Sequence, residues 1–124
     1  LAADFSLALD AAANNFYVGL CVGGAPGTAA ILFMLNGTAN WWCLTQAAAT
    51  NTWTETNIAW NSASNRKIKF VATPSSVAFY IDDVLKATHT TNIPTAISMN
   101  ILLATLAGDS MKVDYVDCAS SVRV

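Results

Sequence analysis

Four tryptophans are the side chains of this chain best suited to binding: Trp41, Trp42, Trp53 and Trp60. Adjacent residues of a β-strand point to opposite faces, so one of Trp41 and Trp42 is expected in the core while the other faces outward. An exposed indole suits the apolar face of a sugar ring, and it equally suits a protein interface, where tryptophan is enriched. The sequence therefore leaves three uses open for these residues: core packing, protein contact and glycan contact.

The acidic residues of the chain supply acid–base chemistry poorly. Hydrolysis of a glycosidic bond usually needs two carboxylates at a fixed separation, and Glu55 is the only glutamate. Asp82 and Asp83 lie at a tight turn between two strands, where carboxylates are usually solvated. The turn could supply oxygen ligands to Ca²⁺, together with Asp109 or Asn92, but no ligand spacing supports such a site. We therefore expect no catalytic residue, no metal site and no cofactor.

The single histidine and the three cysteines also lack a catalytic setting. His89 lies in a threonine-rich connection with no nucleophile motif, so we expect a hydrogen-bonding residue at a strand end. Cys21, Cys43 and Cys118 are widely spaced in apolar strand contexts, which argues against a zinc site and against a disulfide framework. Such cysteines fit buried, reduced thiols in a protein assembled in a reducing cytoplasm.

The composition limits the classes of partner. Charged residues make up 11% of the 124 residues, against about 25% in average proteins, and hydrophobic residues make up 54%. With so low a charge content, either Thr, Asn, Ser and Ala form the surface or partners cover part of it, and we favour cover by partners. The net charge of −2 and the scattered basic residues exclude a nucleic-acid footprint. The longest apolar run, residues 96–107, is shorter than the roughly 20 residues of a membrane-spanning helix, so we expect no membrane segment.

Ten short segments with period-two alternation, separated by turn residues, are expected to position these side chains. We predict strands at residues 4–9, 16–22, 29–35, 41–45, 53–58, 67–72, 77–81, 84–88, 97–106 and 111–118. The alternation places Ile68, Phe70, Val113 and Tyr115 in the core. The pattern predicts one all-β sandwich of two antiparallel sheets over residues 1–124. Leu1 does not begin a recognisable signal peptide. Because the chain starts at Leu and not at Met, we expect a processed chain or a piece of a longer one.

The hairpin around residues 77–88 has apolar residues on both faces. A two-residue turn at Asp82–Asp83 pairs Ile81 with Val84. The next pair is then Tyr80 with Leu85, on the opposite face. One face can enter the core, whereas the other needs cover from like subunits or another protein.

Five segments distributed between residues 16 and 117 have a recognisable sequence. They are FYVGL at 16–20, NWWCLT at 40–45, TETNIAW at 54–60, RKIKFVATPSSVAFYIDDVLKATHTTNIPT at 66–95 and MKVDYVD at 111–117. These segments resemble concanavalin A-like or laminin G-like jelly-roll domains, in the version that recurs in structural proteins of tailed bacteriophages. The most specific part is the FYID-x-VL-x-ATHTTNIPT hairpin and connection.

The chain departs from the family pattern in four places. The family's hairpin turn usually carries Asp-Gly where this chain has Asp82–Asp83, which leaves a longer loop open as an alternative to a tight turn. A Trp-His pair of the family is replaced by Asn65-Arg66. The Glu-x-Asp-x-x-Glu motif of the related glycoside hydrolases cannot occur with a single glutamate. The opening strand is expected to be shorter than in a full jelly roll.

The resemblance implies a non-enzymatic structural protein of a virion surface, such as a capsid or fibre decoration protein. It would work as a homo-oligomer or with viral shell or fibre proteins, after assembly in the host cytoplasm. The alternative is a lectin-like, glycan-binding module for host or surface recognition that uses an exposed tryptophan. A degenerate hydrolase is a third and more distant interpretation.

Overall fold

The computed structural model of the protein contains β-strands and no helix in the part of the chain that it describes. It describes residues 2–10, 16–23, 27–35, 40–59, 66–95, 99–105 and 110–119, and the backbone alone for 2–10, 35, 105 and 110–119. The strands are β1 (Ala2–Asp10), β2 (Phe16–Cys21), β3 (Ala30–Leu35), β4 (Asn40–Ala47), β5 (Thr50–Ala59), β6 (Arg66–Ala72), β7 (Val77–Ile81), β8 (Val84–His89), β9 (Asn100–Thr105) and β10 (Ser110–Ala119). Within these residues, no helix has the length and hydropathy that a membrane crossing requires.

The strands form two antiparallel sheets of five strands each. The first sheet has the order β10-β1-β6-β7-β8, and the second sheet has the order β5-β4-β3-β2-β9. The number and order of the ten strands agree with the prediction, and their ends differ from it by at most three residues. The opening strand β1 is 9 residues long, begins two residues before its predicted start, and pairs with both β10 and β6 inside the first sheet.

The core lies between the two sheets and is formed by alternate residues of the strands. Ile68 and Phe70 are completely buried there, as predicted, whereas the side chains of Val113 and Tyr115 lie outside the described part of the structure. Buried residues from both sheets form this cluster: Phe16, Val18, Leu20, Ile31, Phe33, Trp41, Cys43, Ile68, Phe70, Val77, Phe79 and Ile81.

Aromatic rings join the two sheets edge to face. Phe33 of the second sheet and Phe79 of the first lie 5.3 Å apart between ring centroids, with their planes at 88°. Within the second sheet, Trp41 packs edge to face against Phe16, at 4.6 Å and 79°. Such pairs contribute about 0.5–1.5 kcal/mol each beyond their burial, so these rings fix how the sheets pack.

Glycine is required at position 19 in the middle of β2. Gly19 has a φ of 152°, and a Cβ placed there would lie 2.1 Å from the carbonyl oxygen of Ile31. Real side chains do not reach such a distance from a backbone atom, so the absence of a side chain lets β2 approach β3. The pairing of β2 with β3 therefore depends on this residue.

Two hairpins close with two-residue turns that have positive φ at both central residues, as in a type I′ turn. Asp82 and Asp83, with φ of 51° and 66°, join β7 to β8. Ile81 consequently pairs with Val84, so the tight turn is confirmed over the longer loop. The second turn, Ala48–Ala49, joins β4 to β5 and has φ of 49° and 63°.

Candidate functional site

The second sheet carries side chains in three cross-strand rows on its outer face, the face turned away from the core. The β-ladders fix the members of each row. From β5 to β9, the rows are Asn51–Gln46–Ala30–Cys21–Asn100, Trp53–Leu44–Leu32–Gly19–Leu102 and Glu55–Trp42–Met34–Tyr17–Ala104. The middle of this face is a second apolar cluster, in which Leu32, Met34 and Leu44 are buried. Solvent therefore reaches this face mainly along its two edge strands, β5 and β9.

The tryptophans divide between the core and this outer face. Trp41 is only 1% exposed and packs in the core, while its neighbour Trp42 lies on the outer face, as strand alternation requires. Trp53 lies beside Trp42 with ring centroids 6.5 Å apart and planes at 83°. Trp53 is 40% exposed, which is unusual for so large an aromatic side chain. Trp60 lies outside the described residues.

A carboxylate adjoins the two indoles. Glu55 pairs with Trp42 across the strands, and it is two residues from Trp53, so all three side chains share the outer face. Asn40 Nδ2 donates a hydrogen bond of 2.8 Å to Glu55 Oε1. Glu55 is partly exposed. The carboxylate is thus held beside the indoles with acceptor capacity left for another donor.

A β-bulge next to the carboxylate shapes this end of the sheet. The register of β4 and β5 shifts between Asn40 and Trp42. Within the bulge, Asn57 has a φ of 58°, and Thr56 Oγ1 donates to the carbonyl oxygen of Trp41 at 2.8 Å. Bulges are common next to functional sites because they redirect side chains.

An amide pair lies at the opposite end of the same two strands. Gln46 Nε2 donates to Asn51 Oδ1 at 2.7 Å. Gln46 is 6% exposed, and its Oε1 has no hydrogen-bond partner among the described residues. The site is therefore a strip along β4 and β5 with Trp42 and Trp53 at its centre and amide or carboxylate groups on both sides. We name this set, Asn40, Trp42, Gln46, Asn51, Trp53 and Glu55, the tryptophan strip.

His89 links β8 of the first sheet to β4 and β5 of the second sheet and is not part of the tryptophan strip. It is buried at the end of β8, and its Nδ1 and Nε2 lie 3.0 Å from Thr45 Oγ1 and 2.8 Å from Thr54 Oγ1. Because Thr45 donates to the carbonyl oxygen of Thr91, Nδ1 carries the proton and Thr54 donates to Nε2. Burial lowers the pKa of His89. The expectation of a hydrogen-bonding residue at a strand end is confirmed.

The acidic turn is neutralised by the start of β6. Arg66 Nη1 lies 2.5 Å from Asp82 Oδ2, and Lys67 Nζ lies 3.0 Å from Asp83 Oδ1. The Lys67 backbone amide also donates to Asp82 Oδ1, at 3.1 Å. Among the described residues, no group of three histidine, cysteine or acidic side chains could hold a metal ion. Of the oxygen donors considered for Ca²⁺, Asn92 donates to Thr52 and Asp109 lies outside the described residues.

Two of the cysteines lie on opposite faces of the second sheet. Cys43 belongs to the core and Cys21 to the outer cluster, and both are free thiols. Burial raises the pKa of each thiol. They cannot bridge to each other across the sheet, while the side chain of Cys118 lies outside the described part of the structure.

Comparison with solved structures identifies the fold. The chain is similar to a Bacillus licheniformis β-glucanase, with 17% identity and a TM-score of 0.70 over 93% of this chain and 64% of the glucanase. It is also similar to the carbohydrate-binding module CBM66 from Bacillus subtilis (9% identity, TM-score 0.64, 93% of this chain, 71% of the module). Xenopus laevis galectin-Ib gives 13% identity and a TM-score of 0.63 over 94% of this chain and 88% of the galectin.

The fold is therefore the concanavalin A-like jelly-roll sandwich, as expected from the sequence. No protein-family model and no curated protein sequence matches the chain. The chain spans less than two thirds of the β-glucanase. At these identities the likeness concerns the fold, and the function must be argued from the site.

Proposed function

We propose that this protein is a carbohydrate-binding domain and that it holds a sugar on the tryptophan strip. The observation that carries the proposal is the exposed Trp53 indole, placed beside Trp42 and flanked by Glu55 and Asn51. An indole offers an apolar face to the C–H groups of a pyranose ring. Carboxylate and amide groups beside it can bond the hydroxyls at the ring's edge, the combination that orients ligands in small-molecule sites.

The similar structures support this proposal at the level of the fold. They include a carbohydrate-binding module, a galectin and a β-glucanase. Carbohydrate binding is thus compatible with this architecture. The tryptophan strip itself is argued from the residues of this chain and not from the similar structures.

We propose binding without hydrolysis. A glycosidase of the usual kind places two carboxyl groups about 5–10 Å apart around the scissile bond. Among the residues whose side chains are described, the acidic ones are Glu55, Asp82 and Asp83, and both aspartates are ion-paired in the turn of the other sheet. Glu55 alone can position a hydroxyl, but it cannot serve as acid and nucleophile together.

The second candidate function is that of a virion surface protein that acts through protein contacts. The exposed edge strand β8 favours it, because Leu85, on the face turned away from the core, is 53% exposed, and Val84, on the opposite face, is 54% exposed. Leu85 pairs with Tyr80, and Val71 is also exposed on the first sheet. Like subunits or a shell protein could cover this apolar surface. It lies on the sheet opposite the tryptophan strip, so the two functions are compatible.

A glycan-array screen combined with light scattering tests both candidates on the same sample. Carbohydrate binding predicts selective retention of a defined group of glycans, lost in Trp53→Ala. Assembly through β8 predicts an oligomer that dissociates in Leu85→Lys. A monomer that retains no glycan contradicts both proposals.

A further inference from the structure

The charged side chains of the protein are unequally divided between its two sheets. In the part of the structure with described side chains, the basic residues Arg66, Lys67, Lys69 and Lys86 all belong to the first sheet. The outer rows of the second sheet contain one charged residue, Glu55. The tryptophan strip thus includes a negative charge and no positive one.

This charge has a fixed place relative to the indoles. Glu55 is directly across from Trp42 in the β-ladder, and Trp53 precedes it by two residues on the same face. Asn40 orients the carboxylate through Oε1. A ring that stacks on Trp53 therefore has its edge next to a carboxylate, which accepts hydrogen bonds and donates none when ionised.

Two ligand classes differ sharply in how they suit this arrangement. A neutral pyranose offers hydroxyl donors, whose hydrogen bonds to a charged acceptor are roughly twice as strong as neutral ones. A uronic acid, sialic acid or sulfated sugar brings a like charge, and no arginine or lysine of the strip compensates for it.

From this asymmetry we infer that the tryptophan strip selects neutral glycans over anionic ones, and that Glu55 determines the selection. The inference rests on the proposed carbohydrate-binding function. Other residues of the strip supply stacking and hydrogen bonds that both classes of sugar can use. Removal of the carboxylate should therefore change the preference more than it changes the fold.

The test compares matched neutral and acidic ligands. Binding of β-1,4-linked glucose and galactose oligomers is measured against their glucuronic and galacturonic acid counterparts, with wild type, Glu55→Gln and Asp83→Asn. The two variants lose the same charge, but Asp83 lies in the turn of the first sheet. We expect wild type and Asp83→Asn to prefer the neutral member of a pair by about tenfold at low salt. Glu55→Gln should reduce the preference to threefold or less, and added salt should reduce it in wild type.

Each outcome has a distinct meaning. Equal or tighter binding of an acidic oligomer by wild type overturns the inference while leaving carbohydrate binding in place. A preference that survives in Glu55→Gln overturns the role of Glu55. If neither class binds, the proposed function fails, and the inference fails with it.

Discussion

Trp42 and Trp53 meet nearly at right angles, with 6.5 Å between their ring centroids, on the outer face of the second sheet. The pair exists because the Ala48–Ala49 turn sets the register of β4 and β5. A shift of one residue would turn every side chain of one strand to the other face. The site is thus a consequence of strand register.

Replacement of Gly19 should prevent β2 from pairing closely with β3. The added methyl group of Gly19→Ala would meet the carbonyl oxygen of Ile31, and we expect a loss of about 3 kcal/mol or more in the free energy of unfolding. Gly27→Ala is the control, because no atom lies within 4 Å of its added Cβ. Chemical denaturation followed by fluorescence measures both variants. Equal stabilities of the two would contradict the close approach of the strands.

The turn between β7 and β8 should accept glycine at one position only. Asp83→Gly creates the Asp-Gly pair favoured in such turns and places glycine where φ is positive. Because the ion pair that it removes, with Lys67, is exposed and contributes little, we expect a gain of about 0.5–1 kcal/mol. Asp82→Gly should instead destabilise the protein, because Asp82 accepts hydrogen bonds from Arg66 and the Lys67 amide. Thermal unfolding of both variants checks this order, and the reverse order would refute it.

Stability should fall below neutral pH because of His89. Burial lowers its pKa below the ordinary 6.5, so the unfolded chain takes up a proton at a higher pH than the folded chain does. The contribution of His89 to the free energy of unfolding is complete above about pH 7. It decreases as the pH falls through 6.5, by at most about 1.4 kcal/mol per pH unit. The measurement is the difference in unfolding free energy between wild type and His89→Gln, taken at pH 7.5 and pH 5.5. That difference should shrink at the lower pH, and a constant value would contradict the prediction.

All three cysteines are expected to be reduced. Cys21 and Cys43 are free and lie on opposite faces of the second sheet, and with three cysteines any single disulfide would leave one odd thiol. Thiol titration in denaturant without reductant should count three. In the native state, Cys43 should react slowly, because burial raises its pKa and excludes the reagent. A count of one would reveal a disulfide.

Local sequence patterns were sufficient to locate the ten strands. Turn residues separate them clearly, and β-strand alternation correctly assigned Ile68 and Phe70 to the core. The Ala48–Ala49 turn could not be foreseen, since alanine has no preference for positive φ. The sequence therefore predicted that β5 begins at residue 53, whereas it begins at Thr50.

The site was only partly predictable, because the sequence did not reveal the turn that sets the register of β4 against β5. Alternation separates Trp41 from Trp42, but it does not say which residue of β5 lies opposite Trp42. The register brings Glu55 there, a residue that the sequence suggested only as a lone carboxylate. Asn51, Trp53 and Glu55 are spaced by two residues, and this period was the available signal for a shared face.

The carbohydrate site on the tryptophan strip is tested most directly by calorimetric titration with the neutral oligosaccharide retained best in the glycan screen. Wild type and Leu85→Ala should bind it with the same affinity, because Leu85 is an exposed residue of the other sheet. Trp53→Ala should lose at least about tenfold in affinity while keeping the β-sheet circular dichroism of wild type, since Trp53 lies on the edge strand β5 and is 40% exposed. Unchanged affinity in Trp53→Ala, or an equal loss in Leu85→Ala, would contradict a carbohydrate site on the tryptophan strip.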